Sequence, residues 1–176
     1  MRIGLLSDTH GHLDQSVWDY LDECQELWHA GDIGSLEVVR ALQARKPLRA
    51  VVGNIDGPEL RGLFPEDLHF VCEGVRVWIS HITGYPGHWD RKFRPRLQAD
   101  PPDLLIGGHS HILRIARDRK LGLLFLNPGA CGNHGFHEQK TMLRFTLEEG
   151  KPKDMQIVQL GPRGATVGRK DPPRQE

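Results

Sequence analysis

The stretch that decides the fold opens the chain: Met1-Arg2-Ile3-Gly4-Leu5-Leu6-Ser7-Asp8-Thr9-His10-Gly11-His12. Its apolar run, Ile3–Leu6, is short enough for one buried strand and stops abruptly at polar side chains. Apolar residues at helical spacing follow from Leu13 to Trp28 and predict a helix, with a second short strand over 26–29. The chain therefore begins with a strand that delivers polar residues to a turn before a helix.

This unit of strand, polar turn and helix recurs once along the chain, and a third strand with a polar turn follows it. The strand at 26–29 leads into Ala30-Gly31-Asp32-Ile33-Gly34, and Ser35 can cap a second helix that closes before Pro47. A third strand, Leu48–Val52, ends at Gly53-Asn54-Ile55-Asp56-Gly57. Strands that alternate with helices predict a parallel sheet with right-handed crossovers.

The second half of the chain is richer in strands. Residues 68–72 and 75–80 are typical of a hairpin that turns at Glu73-Gly74. A helix is predicted over 91–98, and further strands over 104–106, 112–116, 121–126, 142–147 and 155–160. We therefore predict an α/β fold in which helices cover two packed sheets. Residues 1–160 would form one domain, and 161–176, rich in Gly, Pro and Arg, a flexible tail.

The amino-acid composition argues against several classes of function. The 176 residues carry 23 Lys and Arg against 23 Asp and Glu, a formal net charge of zero. That balance argues against general binding of nucleic acids or of anionic membranes. The three cysteines form no CxxC pair, and no apolar run reaches the roughly 20 residues of a membrane helix. With no signal-peptide pattern either, we expect a soluble, cytoplasmic protein.

Residues of metal-ligand type follow five of the predicted strands. In open α/β sheets, sites gather beyond the carboxyl ends of the strands, so residues spread over a hundred positions can meet at one rim. Neighbouring glycines allow sharp turns there. The candidate ligands are Asp8, His10, Asp32, Asn54, His81, His109 and His111.

The chemistry of this set is specific. Two carboxylates, one amide and four imidazoles are too rich in nitrogen for calcium or magnesium, which leaves Mn, Fe, Zn, Co or Ni. We take Mn as the first choice. Seven ligands suit two ions that share a bridging carboxylate, and Asp32 lies in the middle of the set. Two ions ~4 Å apart clamp a phosphate oxygen and generate a bridging hydroxide at neutral pH for attack on phosphorus.

These motifs resemble those of the calcineurin-like metallophosphoesterase family. The small size is similar to its short bacterial phosphodiesterase branch, to which the retromer scaffold subunit Vps29 also belongs. The resemblance covers about residues 1–160 and implies a four-layer αββα sandwich of two mixed sheets. It rests on Asp8-Thr9-His10, Gly31-Asp32, Gly53-Asn54-Ile55-Asp56, His81, Gly108-His109-Ser110-His111 and Asn127-Pro128-Gly129-Ala130.

The resemblance also implies a division of the ligands between two metals. One ion would be held by Asp8, His10, Asp32 and His111. The other would be held by Asp32, Asn54, His81 and His109.

Two positions depart from the family pattern. Ile55 stands where many members have a histidine that assists the leaving group, and Ile82 stands where glycine is common. General acid help is worth ~10²–10⁴ in rate, so its loss favours substrates with good leaving groups. Candidate replacements are His12, Asp56, His134 and His137, although Asp56 also suits a turn or a partner of a ligand.

Several other residues keep two interpretations. Arg91, Lys92, Arg94 and Arg96 either guide an anionic substrate or form a solvated face. Loop 130–137 is a candidate lid, and Trp89 packs near the core or serves as a base-stacking platform. His29, His69 and His88 are expected to be surface or structural residues.

The sequence thus predicts a dinuclear metal-dependent phosphoesterase that hydrolyses phosphodiesters. Its expected partner is a small phosphorylated substrate, and a homo-oligomer is compatible with the sequence. The alternative is a scaffold that keeps the fold and holds a protein partner. A nuclease for long DNA is disfavoured by the zero net charge.

Overall fold

Two five-stranded β-sheets face each other, and short helices cover their outer surfaces. The computed structural model describes residues 1–164. The strands of the two sheets are β1 (Arg2–Leu6), β2 (Glu26–His29), β3 (Leu48–Ala50), β4 (Asp67–Cys72), β5 (Val75–Ser80), β8 (Leu104–Ile106), β9 (Arg114–Asp118), β10 (Leu123–Asn127), β11 (Gln139–Glu148) and β12 (Lys151–Pro162). A two-stranded ribbon pairs β6 (Gly84–Tyr85) with β7 (His88–Trp89). The helices are α1 (Trp18–Leu21), α2 (Leu36–Gln43), α3 (Pro58–Arg61) and α4 (Arg94–Ala99), and a 3-10 turn (Gln15–Val17) precedes α1.

Both sheets are mixed. The first has the order β12-β11-β1-β2-β3, in which β1, β2 and β3 run parallel and β11 and β12 are antiparallel additions. The second has the order β4-β5-β8-β10-β9, with β5, β8 and β10 parallel. Its hairpin turns at Glu73 and Gly74, both with positive φ, as a tight two-residue turn requires.

Three apolar clusters separate the four layers. Between the sheets, Ile3, Leu5 and Trp28 of the first sheet pack in one cluster with buried residues of β5 and β8. Alternate side chains of β1 and β2 point the other way, so Leu6 and Leu27 pack with residues of α1 and α2. The αββα architecture is thus built by strands whose two faces are both buried.

The third cluster lies outside the second sheet. Trp78, Leu105 and Phe125 pack there against Phe93 and Leu97 of the α4 segment. The predicted fold class is confirmed by this arrangement of two mixed sheets with few helices.

Several element boundaries differ from the sequence predictions. The helix expected from Leu13 is reduced to the 3-10 turn and α1, because the chain turns after Leu21 and the Gln25 N–H donates to the Arg2 carbonyl; the strand predicted over 26–29 is confirmed as β2. The helix expected over 91–98 begins at Arg94, since Asp90 accepts hydrogen bonds from the backbone N–H groups of Lys92 and Phe93 in a preceding turn. The strand expected over 112–116 shifts to Arg114–Asp118.

The carboxyl-terminal strand runs slightly past the predicted domain end. β12 continues to Pro162, paired with Gln139 of β11. Residues 165–176, most of the predicted tail, lie outside the described residues. Within residues 1–164, no helix combines the length and the apolar character needed to cross a bilayer.

Candidate metal centre

The predicted ligands collect at one rim of the two sheets. Five of the six parallel strands, β1, β2, β3, β5 and β8, are followed within five residues by at least one of them. Because parallel strands carry their carboxyl ends at the same edge, the fold brings these residues together.

The first group consists of Asp8, His10 and His111. The Nε2 atom of His111 lies 3.2 Å from Oδ1 of Asp8 and 3.3 Å from Nε2 of His10. Asp8 Oδ1 and His10 Nε2 are 3.9 Å apart. One ligand atom from each residue lies within 4.8 Å of the others, a spacing compatible with a shared ion.

The second group consists of Asp32, His81 and His109, again with ligand atoms within 4.8 Å of one another. Oδ1 of Asp32 lies 3.3 Å from Nε2 of His81. Asp32 and His81 are buried, whereas His109 is exposed at the mouth of the site. The second group is therefore open to solvent on one side.

Asp32 lies between the two groups. Its Oδ1 faces His81, while its Oδ2 is 3.7 Å from Nε2 of His10 in the first group. The carboxylate is held by the N–H of Ile55, which donates to Oδ1 at 3.1 Å. This is the position that a carboxylate bridging two ions would occupy.

Two buried ligand atoms have no hydrogen bond within the described part of the chain: Oδ1 of Asp8 and Nε2 of His81. They face each other at 4.0 Å. The other polar atoms of both side chains are engaged, since Asp8 Oδ2 accepts from Ser7 Oγ and the N–H of His109, and His81 Nδ1 contacts the carbonyl of Ala30 at 2.7 Å. An unsatisfied buried polar atom costs about 1–3 kcal/mol, so both atoms fit a bound cation.

The backbone of the site adopts a sparsely populated conformation. Eight described residues other than glycine have positive φ, and five of them are predicted ligands. Such left-handed residues cost on the order of 1–3 kcal/mol each and cluster at functional sites. The five are Asp8, His10, Asp32, His109 and His111.

Glycines next to the ligands make room for them. A Cβ atom on Gly53 would lie 2.0 Å from Oδ1 of Asp32, and one on Gly108 would lie 2.2 Å from Oγ of Ser7. The first would displace the Asp32 carboxylate, and the second would displace the Ser7 hydroxyl that donates to Asp8. These glycines are therefore needed for close approach of the chain to the ligands.

The charges of the site favour a cation between its carboxylates. Burial works against protonation of His81, but Asp32 and Asp8 outweigh it and raise the pKa of His81. Burial raises the pKa of Asp32, yet the contact with His81 and the N–H of Ile55 bring it below its usual value. Burial lowers the pKa of His10 against the pull of Asp32 and Asp8, which keeps its imidazole neutral, the form that binds a metal.

Residues 1–150 match the calcineurin-like phosphoesterase superfamily domain. The chain belongs to this superfamily. A probable metallophosphoesterase of Methanothermobacter thermautotrophicus is 29% identical over 172 residues, which cover 92% of this chain and 94% of that protein. A phosphodiesterase of Methanocaldococcus jannaschii is 26% identical over 149 residues, which cover 74% of this chain and 84% of the relative.

Solved structures share the fold of this phosphoesterase domain. An archaeal phosphodiesterase superposes with a TM-score of 0.69 at 22% identity, over 91% of this chain and 100% of that structure. Vps29 of Entamoeba histolytica complexed with Zn²⁺ superposes with a TM-score of 0.63 at 20% identity, over 90% of this chain and 99% of that one. At these identities the likeness shows the fold.

The candidate metal centre also contains residues whose role the sequence did not reveal. Nδ2 of the buried Asn127, at the end of β10, donates to the Gly108 carbonyl at 2.8 Å and to Ser110 Oγ at 3.1 Å. These bonds hold the segment that carries His109. In the sequence, Asn127 appears only as the first residue of the last family motif, directly after an apolar strand, with no role assigned to its side chain.

His137 supports a predicted ligand rather than facing the site as an acid. Its Nε2 lies 3.0 Å from the Gly132 carbonyl, which assigns Nε2–H as a donor and leaves Nδ1 to accept from Nδ1 of His111, 3.3 Å away. These hydrogen-bond partners assign the tautomer of His111 in which Nδ1 carries the proton and the lone pair of Nε2 faces Asp8.

We expect His137→Phe to weaken Mn²⁺ binding by about 10–100-fold, because the partner that orients the imidazole of His111 is lost. Calorimetric titration of the metal-free protein with Mn²⁺ measures this. His69→Phe is the matched control, since His69 is exposed and stacks on Trp78. Equal affinities for both variants would contradict the role of His137.

The other candidate acids are occupied. Asp56 is buried and accepts hydrogen bonds from the N–H groups of Ile33, Gly34 and Gly53, so it shapes turns next to the ligands. Nε2 of His12 lies 3.1 Å from Oδ1 of Asp14.

Two other predicted site residues lie at the rim, one a candidate acid and the other a candidate metal ligand. His134, with its ring centroid 5.1 Å from that of His10, is the remaining candidate acid. Asn54, the seventh predicted ligand, is exposed and lines a groove next to His81.

Loop 130–137 lies against the site. Its first residues are anchored, because Cys131 donates its N–H to the Ser7 carbonyl and Gly132 to that of Asp8. Burial raises the pKa of the Cys131 thiol to about 12, so this thiol is inert. Phe136 is fully exposed at the far end of the loop. Its use as a lid stays a prediction.

His29 is a buried structural residue beneath the site. The Gly31 N–H donates to Nδ1 at 3.2 Å, and Nε2 lies 3.0 Å from Oγ1 of Thr9, which itself donates to the Ile33 carbonyl. The neutral ring thus donates from Nε2 and accepts at Nδ1. Burial lowers the pKa of His29 to about 4.

Acid should therefore destabilise the metal-free protein through His29. In the unfolded chain a histidine has a pKa near 6.5, so between pH ~6.5 and ~4 the unfolded state binds a proton that the folded state does not. Stability from this residue is complete above pH ~6.5, and about 2–3 kcal/mol is lost on going from pH 7.5 to 4.5.

Urea unfolding at both pH values, for the wild type and His29→Asn, measures this contribution. Asn retains an acceptor for the Gly31 N–H but does not titrate. We expect the variant to show a smaller fall in stability by about that amount. The same pH dependence in both proteins would contradict the assignment.

A groove of about 840 Å³ opens beside the metal centre. Three of the four cations predicted to guide a substrate line it, whereas Arg94 does not. Trp89 packs edge-on against Phe125 and donates Nε1–H to Asp118, so it belongs to the fold's outer cluster rather than to a base-stacking platform. The lining side chains include Asn54, Arg61, Glu66, Asp67, His81, Ile82, Asp90, Arg91, Lys92, Phe93 and Arg96.

Proposed function

We propose that this chain is a dinuclear metal-dependent phosphoesterase that hydrolyses small phosphodiesters. The observation that carries the proposal is the pair of neighbouring ligand groups, one of which includes Asp32 facing the other. Two of their buried ligand atoms hydrogen-bond to no described residue. When bound, two divalent ions would polarise the phosphoryl oxygen and activate a water. Membership of the superfamily and the phosphodiesterase among the relatives support the same reaction class.

Different residues of the chain would hold the two ions. Asp8, His10 and His111 would hold one ion, and the second group with Asn54 would hold the other. Asp32 would bridge them and set their spacing. Two divalent ions against the two carboxylates of the site give a local charge of about +2, which suits a singly negative diester.

The surroundings of the site favour a substrate with a good leaving group. Ile55 is exposed beside Asn54 and offers no proton, while Asp56 and His12 are engaged elsewhere. His134 is the one candidate acid left at the rim, and no hydrogen bond within residues 1–164 fixes its ring for proton transfer. Without a fixed general acid, about 10²–10⁴ in rate is forgone for poor leaving groups. We therefore expect aryl diesters to be hydrolysed faster than alkyl monoesters.

Hydrolysis of bis(p-nitrophenyl) phosphate by metal-stripped protein, with and without added Mn²⁺, tests the proposal. We expect turnover only with metal. Mn²⁺ is our first choice, and Zn²⁺ is the second because the ligand set suits both and one structure of the same fold is a Zn²⁺ complex. Absence of turnover with Mn, Fe, Zn, Co or Ni would overturn it.

A protein scaffold is the second candidate, because Vps29 structures share this fold. A pure scaffold, however, does not require the six ligand side chains that lie together in two clusters here. Elemental analysis after Mn²⁺ supplementation distinguishes the two. About two ions per chain supports the enzyme, and near-zero metal supports the scaffold.

A further inference from the structure

The groove beside the metal centre carries an Asp-Arg-Lys turn on its wall. Oδ1 of Asp90 accepts from the N–H groups of Lys92 and Phe93 at 2.8 and 3.0 Å. Phe93 is buried in the outer cluster and anchors the turn. Arg91 and Lys92 are therefore presented at the groove from a turn that is fixed at both ends.

The carboxylates that line this groove are already engaged. Glu66 pairs with Arg61 at 2.8 Å, and Asp67 pairs with Arg96 at 2.8 Å and accepts from Trp78 Nε1. Arg61 is in turn held by the carbonyls of Gly53 and Asp56.

Two cations on the groove wall remain without a carboxylate partner. The side chains of Arg91 and Lys92 are exposed, and no acidic residue within 1–164 forms an ion pair with either. Over its charged lining side chains the groove has four cations against three carboxylates, Asp90 included, which is a surplus of one positive charge.

The dimensions of the groove exceed what the scissile phosphate needs. Its volume of about 840 Å³ lies within the range of about 300–1,000 Å³ that is typical of sites for whole small molecules. His81 and Asn54 belong to its wall, so a ligand in the groove would extend directly from the metal centre. Arg91 and Lys92 both line the groove, and guanidinium and ammonium groups are the side-chain groups that most often bind phosphate.

We propose that Arg91 and Lys92 bind a second phosphate of the substrate, so that the preferred substrate is a nucleotide-sized phosphodiester with an additional phosphomonoester group. This inference rests on the proposed phosphodiesterase function. Arg91 and Lys92 act here as specificity residues, remote from the scissile bond.

A matched pair of substrates tests the proposal: the p-nitrophenyl ester of thymidine 5′-phosphate with and without a 3′-phosphate. Both release p-nitrophenol from the same bond and differ only in the remote phosphate. For the wild-type holoenzyme we expect kcat/KM about tenfold higher with the 3′-phosphate, mainly through a lower KM. Arg91→Gln/Lys92→Gln should abolish this preference while leaving kcat for the simple ester unchanged.

The chain offers a matched control. Asp118-Arg119-Lys120 repeats the same turn, with Asp118 accepting from the N–H groups of Lys120 and Leu121. It precedes β10, at the opposite end of that strand from Asn127. Arg119→Gln/Lys120→Gln removes the same charges and should retain the tenfold preference.

The outcomes separate the two proposals. Equal kcat/KM for both esters in the wild type, or an equal loss of preference in both variants, would overturn the inference while leaving the phosphodiesterase intact. Loss of hydrolysis of both esters with every metal would overturn the enzyme itself. Calorimetry with thymidine 3′,5′-bisphosphate and thymidine 5′-phosphate then still tests the groove, because only the bisphosphate should lose affinity in Arg91→Gln/Lys92→Gln.

Discussion

Asp32→Asn should lower Mn²⁺-dependent phosphodiester hydrolysis by about 10³-fold. Metal-ion catalysis supplies several kcal/mol of barrier lowering, and each ~1.4 kcal/mol is a factor of ten in rate. Asparagine keeps the shape of the side chain and can still accept from the Ile55 N–H. The fold should therefore survive while the negative charge between the two ligand groups is lost.

Thermal unfolding supplies a readout that does not depend on turnover. Mn²⁺ should raise the Tm of the wild type, since a ligand that binds only the folded state stabilises it. Asp32→Asn should show a much smaller rise and hold fewer ions per chain. Asp22→Asn is the control, because Asp22 is exposed and pairs with Arg45 at 3.2 Å on the surface. Full activity in Asp32→Asn would contradict the bridging role.

Lys140→Met should destabilise the fold by about 3–5 kcal/mol. Lys140 is completely buried on β11, and its ammonium group forms an ion pair with the buried carboxylate of Asp14, close to the start of the first 3-10 turn. Methionine retains most of the volume of the side chain and removes its charge. The Asp14 carboxylate would then lie in the interior without this cation.

Urea unfolding of a double-mutant cycle shows whether the buried Asp14 charge, left with the His12 imidazole beside it, is the cause. Adding Asp14→Leu to Lys140→Met removes both charges, and we expect most of the lost stability to return, because apolar replacements of buried pairs are often neutral. Lys153→Met is the control, since Lys153 pairs with Glu148 and Glu149 on the surface and should cost about 1 kcal/mol or less. A double variant as unstable as Lys140→Met would contradict the explanation.

Much of the architecture was predictable from periodicity. Short apolar runs such as Ile3–Leu6, bounded by turn residues, are typical of buried strands, and their alternation with helical spacing implied the parallel units. The hairpin at Glu73-Gly74 was predicted correctly for the same local reason. The strand over 26–29 was also predicted correctly, whereas the first helix was overestimated, because the chain leaves α1 after Leu21 in a turn that pairs Gln25 with Arg2.

The supports of the site were harder to predict than its candidate ligands. Asp8 and His109 follow strand ends, a local signal that one sequence carries. The orienting contacts of His137 and Asn127 depend on which loop lies against which ligand, and no local pattern encodes that.

The sequence by itself determined the fold class, the family resemblance and the set of candidate ligands, because these depend on residue type and short-range spacing. Tertiary structure alone decided which ligands share a group, which histidines support others, and where unpaired charge remains. Asp8 and His109 are 101 positions apart, yet the N–H of His109 donates to Asp8 Oδ2 at 3.1 Å. Distances of that kind arise only when the two sheets pack and bring the carboxyl ends of their parallel strands to one rim.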